Sequence, residues 1–324
     1  MVEISFDLPL LLIYHYRIVG ILSFFVNFLA LFLILTRSGR MNSFRYYLMY
    51  FQISCIILDI QLTFFMQPCP LFPLIAGFSN GVLSTHLNIS SHILMCILFL
   101  FINIQLHSLT VCFIKKHQTI IQIGAKNAFY FAEIGVTLVC YFWPFFVAII
   151  FYLSELDKDE QLRRIGEKYP SLIPGFLSLR EFQYYDLSGS FILVFLFITF
   201  GYIFAITLIP ILSYNMLQIL NKNSLRMSKS SISKHKSAIK SLIAQFLTCP
   251  IALLPNLGVM IILALELSFA QQLGVYFLMI MTLHSFINSI VMIFSYPDYR
   301  NAVYFCFRDR RKKSSVLVTT ASLN

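Results

Sequence analysis

Seven apolar stretches punctuate the chain, at approximately 13–36, 46–66, 91–114, 127–152, 189–216, 239–265 and 273–296, each 21 to 28 residues long. A hydrocarbon core about 30 Å thick takes about 20 helical residues to cross. Within these stretches only four formal charges occur: Arg17, Asp59, Glu133 and Lys240. Arg17 and Lys240 lie near span ends, where a long stem carries its charge to the interface. A segment in lipid must satisfy its own backbone hydrogen bonds, so the pattern predicts helices. The expected fold class is all-α, a seven-transmembrane helix bundle. Residues 1–300 read as one membrane domain. Residues 301–324 read as a tail with an amphipathic start and a disordered end.

Composition supports the same class. Apolar and aromatic types make up 58% of the 324 residues and charged types 12%. Soluble domains carry about a quarter charged residues, so a water-facing surface cannot be built from this chain. Residues 1–12 hold Glu3 and Asp7 with no Lys or Arg, the opposite of a basic leader, and the first span is expected to target the membrane itself.

The formal net charge of +10 would, in a soluble protein, suggest nucleic acid. Its placement says otherwise. The segments 37–45, 115–126 and 217–241 and the chain from 297 hold 18 of the 24 basic residues. The 153–188 segment holds five, against seven acids. The positive-inside rule therefore predicts an outside N-terminus and a cytoplasmic C-terminus. The partner implied is the lipid bilayer, with no nucleic acid, at the plasma membrane.

Nothing in the chain points to catalysis or a cofactor. There is no His-Glu-x-x-His and no paired intramembrane Asp. Cys55, Cys96, Cys112, Cys140 and Cys249 fall inside spans, where Cys acts as a small hydrophobe. The last span lacks the lysine of a retinal pump, and no charged ring or carbonyl filter suggests a channel.

Polar residues recur at similar depth: Asn27 in span 1, Asp59 in span 2, Asn103 and His107 in span 3, His284 and Asn288 in span 7. The last two pairs are each four apart, hence on one helix face. A carboxylate at the bilayer centre costs roughly 2.5–3.5 kcal/mol on insertion scales, so Asp59 should face inward. Two readings stand: a polar switch layer coupling a ligand to the cytoplasmic face, or interhelical bonding that only holds the bundle together. Glu133 reads as a packing or snorkelling acid. Span 6 carries Pro250, Pro255 and Asn256. The prolines remove backbone bonds and predict a kink, either a hinge or a static distortion.

On the cytoplasmic side Lys115, Lys116, Lys234, Lys236 and Lys240 extend spans 3 and 6. They form a G-protein-facing surface or simply record orientation. After Pro297, alternating aromatic and basic residues read as a short amphipathic helix, with Cys306 a lipidation candidate. Outside, Asn88-Ile89-Ser90 is a glycosylation sequon against the third span. The loop from Gln67 to Pro73 either caps a pocket or packs on helices.

A family becomes visible in these residues. The block Phe44-Arg45-Tyr46-Tyr47-Leu48…Phe51-Gln52…Asp59…Leu62-Thr63-Phe64, running into Gln67-Pro68-Cys69-Pro70-Leu71-Phe72-Pro73, resembles nematode chemoreceptors of serpentine receptor class i, related to class h. Cys112-Phe113-Ile114-Lys115-Lys116, Trp143-Pro144, Lys168-Tyr169-Pro170 and Tyr296-Pro297-Asp298-Tyr299-Arg300 are similar to other landmarks of that family. The resemblance covers nearly the whole chain. It implies a G-protein-coupled chemosensory receptor on sensory-neuron cilia, with an unknown small-molecule ligand, a heterotrimeric G protein as partner and no cofactor. It assigns no ligand-binding residue and no oligomeric state. Against rhodopsin-like receptors, Asn27 and Asp59 resemble the polar pair of helices 1 and 2. The acidic-Arg-aromatic triplet is replaced by Thr110-Val111-Cys112, Tyr296-Pro297 stands where Asn-Pro is usual, and the 153–188 segment has no Cys for the common disulfide. A pocket in the outer half of the bundle follows from this reading; a seven-helix ligand-gated channel or carrier is the alternative.

Overall fold

Long helices form over the apolar runs. The computed structural model describes residues 4–38, 43–124, 130–186, 189–224, 227–251, 258 and 269–305. The long helices are α1 (Leu10–Arg37), α2 (Phe44–Ile60), α3 (Ser91–Gly124), α4 (Tyr130–Tyr152), α5 (Gly189–Lys222), α6 (Lys229–Phe246) and α7 (Ala270–Ser295). Among the described residues six helices are long and apolar enough to cross a membrane, namely α1 to α5 and α7. Nearly half of the predicted sixth span, 252–257 and 259–265, including Pro255 and Asn256, lies outside the described residues, as does Cys306.

Burial divides the helices by role. α3 is the central strut, packed on α2, α4, α5 and α6, and its inward residues Leu106, Leu109, Cys112 and Phe113 are buried. α1 packs on α2 and α7. Its outward Ile21 and Phe25 are 61% and 66% exposed. Apolar exposure of that size is unfavourable in water and natural beside lipid chains. α1 and α2 approach closely at Gly20, where a Cβ would lie 2.7 Å from Thr63 Oγ1.

α2 widens into a π turn, Gln61–Met66, and stops at Gln67, whose φ of 46° is left-handed. The chain then builds a cap over this end of the bundle. Strands β1 (Pro68–Pro70), β2 (Ala76–Ser79) and β3 (Gln183–Tyr184) form an antiparallel sheet in that order. Prolines flanking Cys69 suit the edge position of β1, since they cannot donate to a ladder. Short helices over Lys158–Lys168 and Ile173–Ser178 pack on the sheet. Leu71, Leu74, Ile165, Phe176 and Phe182 are buried between them, with Phe6 against Phe176. Arg164 bonds Glu160 and Asp186, each at 2.6 Å, and Lys168 bonds Asp186 at 3.1 Å. The segment 153–188, which has no cysteine, is thus held by a small apolar core and an ion network. All described cysteines are free thiols.

At the opposite, basic end, helix resumes after Tyr296 over residues 297–305. It turns Tyr299 and Ala302 inward against Ala30, Leu33 and Leu48 and leaves Tyr304 and Phe305 exposed. The Tyr299 hydroxyl hydrogen-bonds Ser38 Oγ.

Candidate functional site

Beneath the cap lies a cavity of about 170 Å³. Its walls come from the hairpin (Phe72, Ile75, Phe78), α3 (Met95, Phe99, Ile102), the α4 end (Phe151), α5 (Phe191, Phe195) and α7 (Phe277, Leu278, Met281). Apolar pockets with a few placed polar groups are the usual form of small-molecule sites. Phe72 reaches over α7 because position 274 is glycine; a Cβ there would sit 2.3 Å from the Phe72 ring. One wall is braced by His92, whose Nδ1 lies 2.8 Å from the Tyr185 hydroxyl and whose Nε2 lies 3.2 Å from the Tyr152 carbonyl oxygen.

Under the cavity floor polar side chains interlock. Asn27 Nδ2 donates to Ser23 Oγ and Ser285 Oγ, both at 2.9 Å, and to Asp59 Oδ2 at 3.5 Å. Gln52 Nε2 donates to Asn27 Oδ1 and Ser289 Oγ at 2.9 Å each. Asn27 is therefore the hub that ties α1 to α2 and α7. A second set joins α2, α3, α6 and α7. Gln105 Nε2 lies 3.0 Å from Cys55 Sγ and 3.4 Å from His284 Nδ1. Thr248 Oγ1 lies 3.5 Å from His284 Nε2 and 3.4 Å from Asn288 Oδ1.

The sequence-predicted polar residues thus fall into two groups. Asn27, Asp59, His284 and Asn288 enter this network. Asn103 and His107 do not: Asn103 Nδ2 donates to Phe99 O and His107 Nδ1 to Asn103 O, both at 2.9 Å and both within α3. The His107 ring stacks on Trp143 of α4, on the side away from α7. α3 contributes Gln105 and Ser108 instead, the latter 3.2 Å from Ser54 Oγ. At 100° per residue Gln105 points opposite to the Asn103/His107 face, so the helix can present only one of these sets to α2 and α7. Gln52, seven residues before Asp59 and hence on the same face of α2, was detectable by that spacing. Ser285, Ser289 and Thr248 carry no such signal, because isolated hydroxyls are common in membrane helices.

Regular α-helix ends at Phe246, followed by a turn at Leu247 and Thr248 and helical residues at 249–251. Pro250 has no N–H to return to Phe246 O, which accounts for a break there. The turn frees Thr248 to reach α7.

The basic end differs residue by residue from a uniform charged face. Lys234 and Lys240 are exposed, and Lys236 donates to Asn221 Oδ1 of α5 at 2.9 Å. Lys236 and Lys240 line a groove with Ser224, Lys229 and Ser237. Lys115 donates to Gln118 Oε1 at 3.1 Å. Lys116 is buried, its ammonium 4.9 Å from the centre of the Phe44 ring. At the other end Asn88 is exposed, and its side-chain oxygen accepts from Arg180. No cluster of metal-ligating side chains occurs among the described residues.

The sequence profile described as "Serpentine type 7TM GPCR chemoreceptor Sri" matches residues 2–303. The chain belongs to the Sri family of serpentine chemoreceptors. That family is one of multi-pass membrane receptors rather than enzymes. The crystal structure of squid rhodopsin shares the bundle, with a TM-score of 0.56 over 92% of this chain and 84% of the rhodopsin chain at 13% identity, a likeness of fold alone. No curated protein sequence matches. In this Sri chain the cap sheet and the Gln105–His284–Thr248 contacts were not anticipated from sequence. Both depend on groups brought together from distant segments.

Proposed function

We propose that this Sri-family receptor binds a small chemical in the cavity under the cap and passes the signal to a cytoplasmic G protein. In this reading the cap is extracellular, as the N-terminus is, and the basic end is cytoplasmic at the plasma membrane of sensory cilia. One observation carries it. Ile102 and Met281 line the ligand-sized cavity and also the small void that holds Asp59, His284 and Ser285. A ligand pressing on these two side chains moves the walls of the polar network, and the network extends through Thr248 to the α6 break beside Pro250. Differential contact of this kind with two states is what a signalling ligand requires.

At the inner end Lys115, Lys116, Lys234, Lys236 and Lys240 frame the G-protein-facing surface. Residues 297–305 serve as the start of an amphipathic helix on the inner leaflet, with Cys306 as its lipidation candidate. Asn88 is the glycosylation candidate outside.

The test is expression of the full chain with a tag at each end and a G-protein reporter. The N-terminal tag should be labelled on intact cells and the C-terminal tag only after permeabilisation, with chemical stimuli raising the reporter signal. A cytoplasmic N-terminus, or ligand-gated current in a bilayer free of G protein, would overturn the reading in favour of a channel or carrier.

A further inference from the structure

At the basic end a groove opens beside the first turns of α6, lined chiefly by Ser224, Lys229, Ser233, Lys236, Ser237 and Lys240. Six basic residues fall between 222 and 240, and no acid occurs from 187 to 265. Among the described residues none of Lys222, Lys229, Lys234, Lys236 and Lys240 makes an ion pair. The groove therefore gathers positive charge that no ion pair within the described residues balances.

Membrane orientation explains how many basic residues lie at this end, but not how they are turned. At 100° per residue Lys229, Lys236 and Lys240 fall within about 40° of one another around α6. Ala238, Leu242 and Gln245 are buried in the bundle and lie on the opposite face, about 180° away. The three lysines thus look outward to the perimeter of the receptor rather than into its core. Lys236 also donates to Asn221 Oδ1 at 2.9 Å, which holds its stem across the gap to α5.

Depth sets the partner. Lys240 stands at the start of the sixth apolar stretch, 239–265, hence at the edge of the hydrocarbon. Lys236 is one turn farther out, and Lys229 lies about 16 Å from Lys240 along the helix axis. The headgroup zone of one leaflet is only about 5–8 Å deep. A headgroup with a single phosphate meets Lys240 and Lys236 but not Lys229; reaching all three takes phosphates that project past the ordinary headgroups. Ser233 and Ser237 add hydroxyl donors along the same groove. Clusters of roughly four to eight basic residues just outside a span are the usual sites for anionic inner-leaflet lipids.

We infer that this groove binds the headgroup of an inner-leaflet phosphoinositide carrying two or more ring phosphates. The inference goes beyond chemical sensing. It rests on the proposed orientation only in placing the basic end at the cytoplasmic leaflet.

The experiment measures binding without any G protein. Purified full-length receptor in phosphatidylcholine nanodiscs is titrated with fluorescent short-chain phosphatidylinositol bisphosphate and with fluorescent short-chain phosphatidylserine. Free inositol trisphosphate serves as competitor. The bisphosphate lipid should bind about tenfold more tightly than phosphatidylserine, and free inositol trisphosphate should compete only weakly. Lys240→Gln and Lys229→Gln should each weaken bisphosphate binding about fivefold, and Lys229→Gln should leave phosphatidylserine binding unchanged. Lys234→Gln removes the same charge from the same helix, about 140° round from Lys229, and should change bisphosphate binding less than about twofold. All these side chains lie at the surface, so unchanged thermal unfolding of the variants shows that the fold is intact.

Equal binding of the two lipids, a loss in Lys234→Gln as large as in Lys240→Gln, or free inositol trisphosphate binding as tightly as the lipid would each overturn the inference. Bisphosphate binding with a cytoplasmic N-terminal tag would overturn the orientation, and with it the inner-leaflet lipid as occupant. The expected orientation without bisphosphate binding would overturn this inference alone.

Discussion

His117 of α3 and Glu133 of α4 meet at 2.5 Å between Nδ1 and Oε1, both residues buried. Asn215 Nδ2 of α5 lies 3.1 Å from His117 Nε2. With Asn215 donating, Nε2 accepts and the ring proton on Nδ1 faces the carboxylate. Three helices are thereby joined at the basic end, and Glu133, which reads from sequence as a packing or snorkelling acid, is a cross-helix partner. Removing one member leaves the buried polar group of the other without its partner, at a cost of about 1–3 kcal/mol. Glu133→Ala and His117→Ala should each lower unfolding stability by that order. The double variant should cost clearly less than their sum in a double-mutant cycle; full additivity would show that the pair is not coupled.

Asn27 and Asn103 offer a matched contrast. Asn27→Ala removes the hub that joins Ser23, Gln52, Asp59, Ser285 and Ser289, and should destabilise the receptor by about 2 kcal/mol. Among the described residues the Asn103 side chain bonds only to a carbonyl of its own helix, so Asn103→Ala should cost less than about 1 kcal/mol. Thermal unfolding of the two purified variants decides between them, and equal losses would refute the assignment of the hub.

The cap should be sensitive to acid. Hydrogen bonds from Arg163 and Arg164 hold the Glu160 carboxyl at about 2, below its usual 4.5. Partial burial would raise Asp186, but its bonds to Lys168 and Arg164 outweigh this and lower it. A depressed carboxyl stabilises the fold above its unfolded value, and that contribution is lost as pH falls through the folded value. The cap should therefore resist proteolysis from pH 7 to 5 and become cleavable within 153–188 between about pH 4 and 2. Arg164→Gln should move the onset upward, toward the ordinary carboxylate range.

Gly274 governs how Phe72 closes the cavity. Gly274→Val should push the ring from α7 and weaken ligand-induced stabilisation severalfold while surface expression persists. Phe72→Ala should instead admit larger ligands. An unchanged size preference in Phe72→Ala would exclude the ring as a gate.

Much of the bundle was legible because its signal is additive along the chain. Each long apolar run is sufficient by itself to predict a spanning helix, and the lack of any formal charge in the stretches 91–114, 189–216 and 273–296 left little ambiguity. The cap was not legible. β3 is only two residues long, and its pairing with β2 joins segments about a hundred positions apart. No local propensity records that meeting.

The polar sites show the same division. Depth along a helix follows from counting residues, so Asn27, Asp59, His284 and Asn288 could be placed at one level from sequence. Rotation about the helix axis decides which residue meets which, and it is set by neighbouring helices. α3 accordingly presents Gln105 to α7 and turns His107 toward Trp143. By itself the sequence determined the helical class, the approximate spans and the uneven distribution of charge, because hydrophobic length and charge placement are properties of single segments. Only the tertiary structure decided the network's membership, the His117–Glu133 pair and the cavity under the cap, because each depends on contacts between segments remote in the chain.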